Sequence, residues 1–219
     1  MSVLYSHTIT FMFITFEGPE GSGKTTQLPR LGEFLSAKGY RVFATREPGG
    51  TAIGDQIREV LLANRNTEMQ PRTEILLFQA SRAQLVEQEI LPRLVRGEIV
   101  LCDRYADSTL AYQGYGHQVD LPQLRSIVSF ATGGLKPDLT ILLDLDVKIG
   151  LARRKKDGGI NRMDAFALAF HRRVRNGYRE LAAAEPERWA IVDAAQPPER
   201  IQAVVREIVL ERLAGSGGG

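Results

Sequence analysis

Cysteine is almost absent from this chain. Among 219 residues only Cys102 carries a thiol, which excludes an intrachain disulfide and predicts a reducing, cytoplasmic setting. Cys102 ends the apolar run Ile99-Val100-Leu101-Cys102, so it reads as a packing residue rather than a reactive one. Long hydrophobic runs are missing too. None approaches the length of a bilayer span, and no membrane role is expected. Residues 1–11 carry neither a positive cluster nor a clear cleavage signal, which argues against a secretory leader. An excess of charge of one sign is also lacking. Its 28 basic and 26 acidic residues leave a formal charge of +2, too balanced for a protein that binds nucleic acid through its overall field. Any basic function must therefore be local. With 43% hydrophobic and 25% charged residues, the composition is ordinary for a globular protein with ample core. No repeat or long linker divides the chain. One domain is expected over residues 13–213, with an N-terminal extension over 1–12 and a flexible tail over 214–219.

The most specific stretch is Gly18-Pro19-Glu20-Gly21-Ser22-Gly23-Lys24-Thr25, directly after the apolar run Phe13–Phe16. It matches G-x-x-x-x-G-K-[ST] between a strand and a helix, the context in which that pattern cradles phosphates. Glycines let backbone N–H groups turn inward and approach oxygens closely. A helix starting near Lys24 points its positive dipole end at the same place. Lys24 supplies a point charge, and the Thr25 hydroxyl is placed to ligate Mg²⁺. Gly18, Glu20, Gly21, Ser22, Gly23, Lys24, Thr25 and Thr26 thus form the expected ATP-phosphate site.

Short, continuous apolar runs alternate with helical patterning. Strands are expected at 13–16, 41–45, 99–102, 139–143 and 189–192. Helices are expected at 24–37, 51–63, 72–96 (bent at Pro92), 121–132 and 198–213. Two more flank a polar, glycine-containing loop around 155–162. This is the pattern of an α/β protein whose parallel sheet is covered on both faces. In such sheets ligands bind beyond the carboxyl ends of the strands. Arg46, Asp103-Arg104-Tyr105 and Asp144 all follow predicted strands. Asp103 reads as Mg²⁺ support beside Thr25 or, more plainly, as a helix N-cap. Asp144 reads as an N-cap or structural residue. Arg46, Arg82 and Arg104 could each be solvated, but guanidinium forks match phosphate oxygens. Their placement points to a second, phosphate-bearing substrate and so to phosphoryl transfer. The cation-rich segment Arg153-Arg154-Lys155-Lys156 through Arg162 reads as a solvated helix face or as a mobile lid, about 153–162, that closes over the transferring group.

These residues resemble thymidylate kinase of the bacterial type over nearly the whole chain. The resemblance rests on Phe-Glu-Gly-x-Glu-Gly-x-Gly-Lys-Thr-Thr at 16–26, Thr-Arg-Glu-Pro-Gly-Gly-Thr at 45–51 and Asp-Arg-Tyr at 103–105. Ser-Thr-x-Ala-Tyr-Gln-Gly at 108–114 and Pro-Asp-Leu-Thr at 137–140 extend it. It implies a three-layer nucleoside monophosphate kinase fold with a five-stranded parallel sheet and a lid. It also implies transfer of phosphate from ATP to dTMP with Mg²⁺, and a homodimer. By the same resemblance, Arg46 and Arg104 clamp the dTMP phosphate and Glu20 meets the sugar 3′ side. Phe78 stacks on thymine, Arg82 and Gln113 meet its polar edge, and Tyr112 crowds the sugar 2′ position. Core packing is the competing role for Phe78 and Tyr112. The lid supplies the catalytic cation beside Lys24 and Arg104, with Arg153 first and Arg162 second. Asp157 stands where some bacterial members carry a lid arginine. For the dimer, Ile75, Leu76, Leu85, Ile90 and Leu94 of the long helix are the expected surface. The alternatives are another kinase of this fold or a nucleotide-dependent switch. The absence of a recognisable Asn-Lys-x-Asp segment argues against the switch.

Overall fold

Five parallel strands form one sheet in the order β2-β3-β1-β4-β5. They are β1 (Met12–Glu17), β2 (Val42–Arg46), β3 (Ile99–Asp103), β4 (Leu139–Asp144) and β5 (Trp189–Asp193). The structure, a computed structural model, describes residues 11–158 and 161–216. Most of the expected extension, the last three residues of the tail and two residues inside the lid lie outside that range. The boundaries differ from expectation at both ends. Met12 is a buried strand residue rather than part of an extension, and the last helix runs to Ser216, through Gly215.

The continuous apolar runs are explained by burial on both faces. Ile14, Phe16, Leu101, Ile141 and Leu143 pack on one face with Leu28, Leu31 and Leu35 of α1 (Lys24–Ala37) and Val205 and Val209 of α9 (Pro198–Ser216). The alternate residues Phe13, Val100 and Cys102 meet Leu85, Val86 and Ile90 on the other face. Leu142 meets Phe170, Val174 and Tyr178 of α8 (Leu168–Ala184) there. Alternation of side chains along each strand thus serves two cores at once. Cys102 is fully buried, and burial pushes its thiol pKa well up, so packing is its role.

The long helix is continuous from Pro71 but not uniform. It comprises α3 (Pro71–Leu85), a π-helical stretch at Val86–Ile90 and α4 (Leu91–Val95). Proline has no N–H to close the helical ladder, and the wider turn just before Pro92 accommodates it. Ile75, Leu85 and Ile90 are buried within the monomer, so they do not form the expected docking surface; Leu76 alone of that set is largely exposed. Helix α2 (Ala52–Leu62) packs on α3. A helical passage absent from the expected pattern, α5 (Ala106–Thr109) continuing as a π-helical stretch Leu110–Gly116, packs against α8. Its glycines and small polar residues hide it from periodicity. Helix α6 (Leu121–Thr132) begins at Asp120, whose side chain accepts from Gln123 N. Helix α7 (Val147–Asp157) begins at Asp146, which accepts from Lys148 N.

The lid expectation changes in one respect. Arg153, Arg154, Lys155 and Lys156 lie in the last turns of α7, not in a loop. A short 3₁₀ turn, Arg162–Ala165, follows with a capping box between Asn161 and Asp164.

Candidate active site

The carboxyl ends of β1, β2 and β3 open onto a cleft of about 620 Å³. The register aligns Phe16 and Arg46 with Asp103, so the loops after these strands leave side by side. Lys24, Arg46, Phe78, Arg82, Asp103, Arg104, Tyr112, Gln113 and Arg153 all line this one cavity. The chain brings them together from positions 24 to 153.

The donor end is built from backbone. Gly18, Gly21 and Gly23 have φ of 142°, 70° and 94°, a region closed to most residues. A side chain at Gly21 would collide with the Gly150 carbonyl of α7. Gly23 caps α1 with no side-chain hydrogen bond, and the first turn of α1 holds no acidic residue. The helix start is therefore free to receive an anion. Lys24 folds over the loop and donates to Gly18 O (2.9 Å), Pro19 O (3.0 Å) and Ser22 Oγ (3.2 Å). Burial, with Arg104 nearby, lowers its pKa to about 8. Thr25 and Thr26 are exposed within the cleft.

Asp103 distinguishes the two roles open to it. The following helix has Tyr105 as its N-cap and no side-chain cap bond, so Asp103 is not a cap. Its Oδ1 is buried with no hydrogen-bond partner among the described residues. A carboxylate oxygen left this way beside Thr25 suits a hard cation. Among the described residues no group of three His, Cys, Asp or Glu gathers for a metal.

The acceptor end is built from side chains. Arg104 sits at φ 71°, a conformation that costs a bulky residue about 1–3 kcal/mol. The backbone holds it there: its N–H donates to Phe16 O (2.9 Å), and Tyr105 N donates to Glu17 Oε1 (2.8 Å). The guanidinium is fixed by Gly18 O, Ser108 Oγ, Tyr178 OH, Glu20 Oε1 and Tyr112 OH at 2.8–3.2 Å. Burial pushes the Glu20 carboxyl up, but Arg104 and then Lys24 outweigh it and bring the pKa down to about 2. Beneath lies Glu17, fully buried, which accepts from Ser108 Oγ (2.6 Å) and Tyr178 OH (2.9 Å). Burial and then Asp107 raise its pKa to about 7.

Tyr112 serves both core and site. It belongs to an apolar cluster, while its hydroxyl donates to Glu20 Oε1 (2.8 Å). Phe78 is only half-buried, lines the cleft and belongs to none of the three described apolar clusters. Gln113 lines the cleft with its amide nitrogen on Glu74 Oε1 (2.7 Å). Arg46 is half-exposed and pairs with Asp55 (3.2 Å).

Three arginines already have protein partners. Arg82 is buried and its three nitrogens are already engaged. Nε and Nη2 donate to Glu47, Nη1 to Gln79 Oε1 and Thr109 Oγ1, and Nη2 also to Tyr105 O. It is a strut between the loop after β2, α3 and α5 rather than a free donor for a base edge. Arg162 is buried, pairs with Glu74 Oε2 (2.6 Å) and donates to Leu61 O (2.9 Å). Arg153 donates from Nη1 to Ala194 O (3.2 Å) and Gly21 O (3.4 Å). These bonds tie it to the phosphate loop and to the end of β5 within the cleft it lines. The side chain of Asp157 lies outside the described residues. Asp144 is structural: it accepts from Arg175 and Arg179.

Several residues have no motif to announce them. Arg58 lines the cleft, donates to Pro48 O (2.7 Å), and has its pKa lowered by burial and by Arg46. Arg154 and Lys156 line it from α7. Arg154 is forked onto Asp164 by Nε (3.2 Å) and Nη2 (3.0 Å), while the fields of Glu20 and Arg104 reach it across the cleft. Each is one charged residue in a charged helix face; only its position in space marks it.

Comparison with known proteins agrees with this geometry. The family described as Thymidylate kinase matches residues 16–208. A thymidylate kinase of Roseiflexus sp. (strain RS-1) is 52% identical over 215 residues, covering 93% of this chain and 95% of that protein. One of Deinococcus radiodurans is 53% identical over 201 residues, covering 92% and 97%. The crystal structure of thymidylate kinase from Ehrlichia chaffeensis superposes with a TM-score of 0.75 at 32% identity, covering 91% of this chain and 99% of that one.

Proposed function

The chain belongs to the thymidylate kinase family, and from that premise we propose how its own residues divide the reaction ATP + dTMP ⇌ ADP + dTDP. The observation that carries the proposal is a single cleft in which an uncapped, glycine-lined helix start and a fixed arginine lie side by side, with Lys24 and Arg104 both donating to Gly18 O. Such a cleft holds two phosphate-bearing molecules end to end.

The loop amides and Lys24 hold the donor phosphates. Thr25 and the free oxygen of Asp103 are the residues that would hold Mg²⁺, which would offset donor charge. Arg104 and the more exposed Arg46 hold the acceptor phosphate, with Glu20 and Tyr112 fixing the Arg104 fork. Phe78 offers its half-buried ring to the base, and Tyr112 bounds the sugar. An acceptor phosphate is already anionic near neutral pH, so no general base is needed; positioning and charge stabilisation remain. Arg154, aimed by Asp164 toward Glu20 and Arg104, is the lid cation for the transferring group. Arg153, between the loop and Ala194, belongs to the donor nucleotide. Two copies associate through α2, α3 and α6, whose Ile53, Val60, Leu76 and Phe130 are exposed. The cytoplasm is the proposed location, in keeping with a single, buried thiol.

An acceptor screen tests the proposal. With ATP and Mg²⁺, dTMP should be phosphorylated in preference to dUMP, dCMP and thymidine. Equal turnover of the four, or ATP hydrolysis indifferent to any acceptor, would defeat it.

A further inference from the structure

Glu74 lies on α3, is 1% exposed, and plays no part in the scheme above. Its two oxygens face different elements. Oε1 accepts from Gln113 Nε2 of the π-helical stretch (2.7 Å), and Oε2 accepts from Arg162 Nη2 of the 3₁₀ turn (2.6 Å). His117 Nε2 lies 3.3 Å from Oε1. We propose that Glu74 is a positioning residue for acceptor choice: it fixes the sense of the Gln113 amide, so that the carbonyl oxygen faces the cleft and selects a pyrimidine carrying a ring N–H.

The physical case is one of donor and acceptor inventory. A primary amide can turn over and offer either its oxygen or its nitrogen. Only its partners decide. A carboxylate accepts and cannot donate, so Gln113 must give Glu74 its nitrogen. Gln113 lines the cleft, and among the described residues no donor reaches its carbonyl oxygen. That oxygen is the polar atom it has left for a ligand. Burial alone would push the Glu74 carboxyl up, but the nearby His117 and bonds from Gln113 and Arg162 hold it below the usual range, in the acceptor-only form. Thymine and uracil present N3–H, a donor. Cytosine presents N3 without hydrogen, an acceptor, and two acceptors facing each other in a buried site repel. A site built on one polar match rejects the mismatched ligand by about 10⁴-fold.

The inference rests on dTMP being the acceptor, and the test separates the two. Wild type, Glu74→Gln and Glu74→Asp are compared for kcat/KM with dTMP, dUMP and dCMP. A glutamine at 74 donates as well as accepts, so it frees Gln113 to turn over. The dTMP/dCMP ratio should then fall at least ~10-fold, with dTMP/dUMP unchanged within ~3-fold. Glu74→Asp keeps an acceptor-only partner and should keep the dTMP/dCMP ratio even if all rates drop. A role confined to holding the fold would lower all three substrates together; an unchanged dTMP/dCMP ratio in folded Glu74→Gln overturns the proposal. Should Glu74→Gln fail to fold, a crystal structure of wild type with dTMP decides. The Gln113 oxygen within hydrogen-bond distance of the base N–H supports the assignment, and a turned or remote amide overturns it. A wild type that takes dCMP as readily as dTMP would instead defeat the substrate assignment, and this one with it.

Discussion

In the proposed scheme, the donor and acceptor sides of the cleft bind the same chemical group by different means. The donor end is one contiguous loop, and its binding atoms are backbone N–H groups exposed by glycine conformations. The acceptor end draws Glu17, Glu20, Arg104, Ser108, Tyr112 and Tyr178 from four elements into one buried network. A backbone site depends on local geometry, while a side-chain site depends on every partner being satisfied. The donor end should therefore lose chemistry when altered, and the acceptor end should lose stability as well.

Lys24→Ala is the strongest test of the first half. Removing this cation should lower kcat/KM about 10³-fold. Thermal stability should change little, because Lys24 donates only to its own loop. Calorimetry should find dTMP affinity within about 3-fold of wild type. A large stability loss would erase the contrast between the ends.

Arg104→Ala tests the second half. The affinity for dTMP should fall about 100-fold, or about 3 kcal/mol. Unfolding in urea should reveal a loss of about 3 kcal/mol as well, since Glu20 and Tyr112 are left buried without their partner. ATP-analogue affinity should stay within about 3-fold. An equal loss of ATP affinity would show that Arg104 does not belong to one end alone.

Within α7 the contrast can be sharpened between neighbours. Arg154→Ala should lower kcat about 10- to 100-fold with both KM values little changed. Arg153→Ala should instead raise KM for ATP a few-fold and spare kcat. Reversed kinetics would exchange the two roles.

The last test is in pH. Glu17, raised to about 7 in the fold from about 4.5, keeps a proton that the unfolded chain has already released. Its contribution makes stability fall as pH rises from about 4.5 to 7, by up to about 3 kcal/mol. Glu20 acts in the opposite sense: lowered to about 2, it contributes stability above about 4.5 that is lost as pH falls toward 2. Urea midpoints between pH 5 and 8 should fall in wild type and flatten in Glu17→Gln. Parallel profiles would show that Glu17 does not titrate there.

What was legible in the sequence follows the same division. The phosphate loop could be read because its chemistry is local: glycine, lysine and threonine at fixed spacing dictate a turn, a helix start and a charge. The strands could be read because burial on both faces leaves continuous apolar runs. The motif at 103–105 marked Arg104, but not the Glu17 network beneath it. Arg153, Arg154 and Arg162 are chemically alike, and nothing in their order distinguishes bonds to Gly21 O and Ala194 O, a fork onto Asp164 and a buried tie to Glu74.

Sequence by itself determined the layered sheet, the anion-binding loop and, through resemblance, the reaction. Tertiary structure alone decided which partner each of several identical guanidinium groups takes and which way the amide of Gln113 faces. Several of those outcomes depend on distant partners, such as Glu47, 35 positions from Arg82, and Glu74, 88 positions from Arg162. A carboxylate that is buried must be paired, and the fold, not the local sequence, chooses its partner.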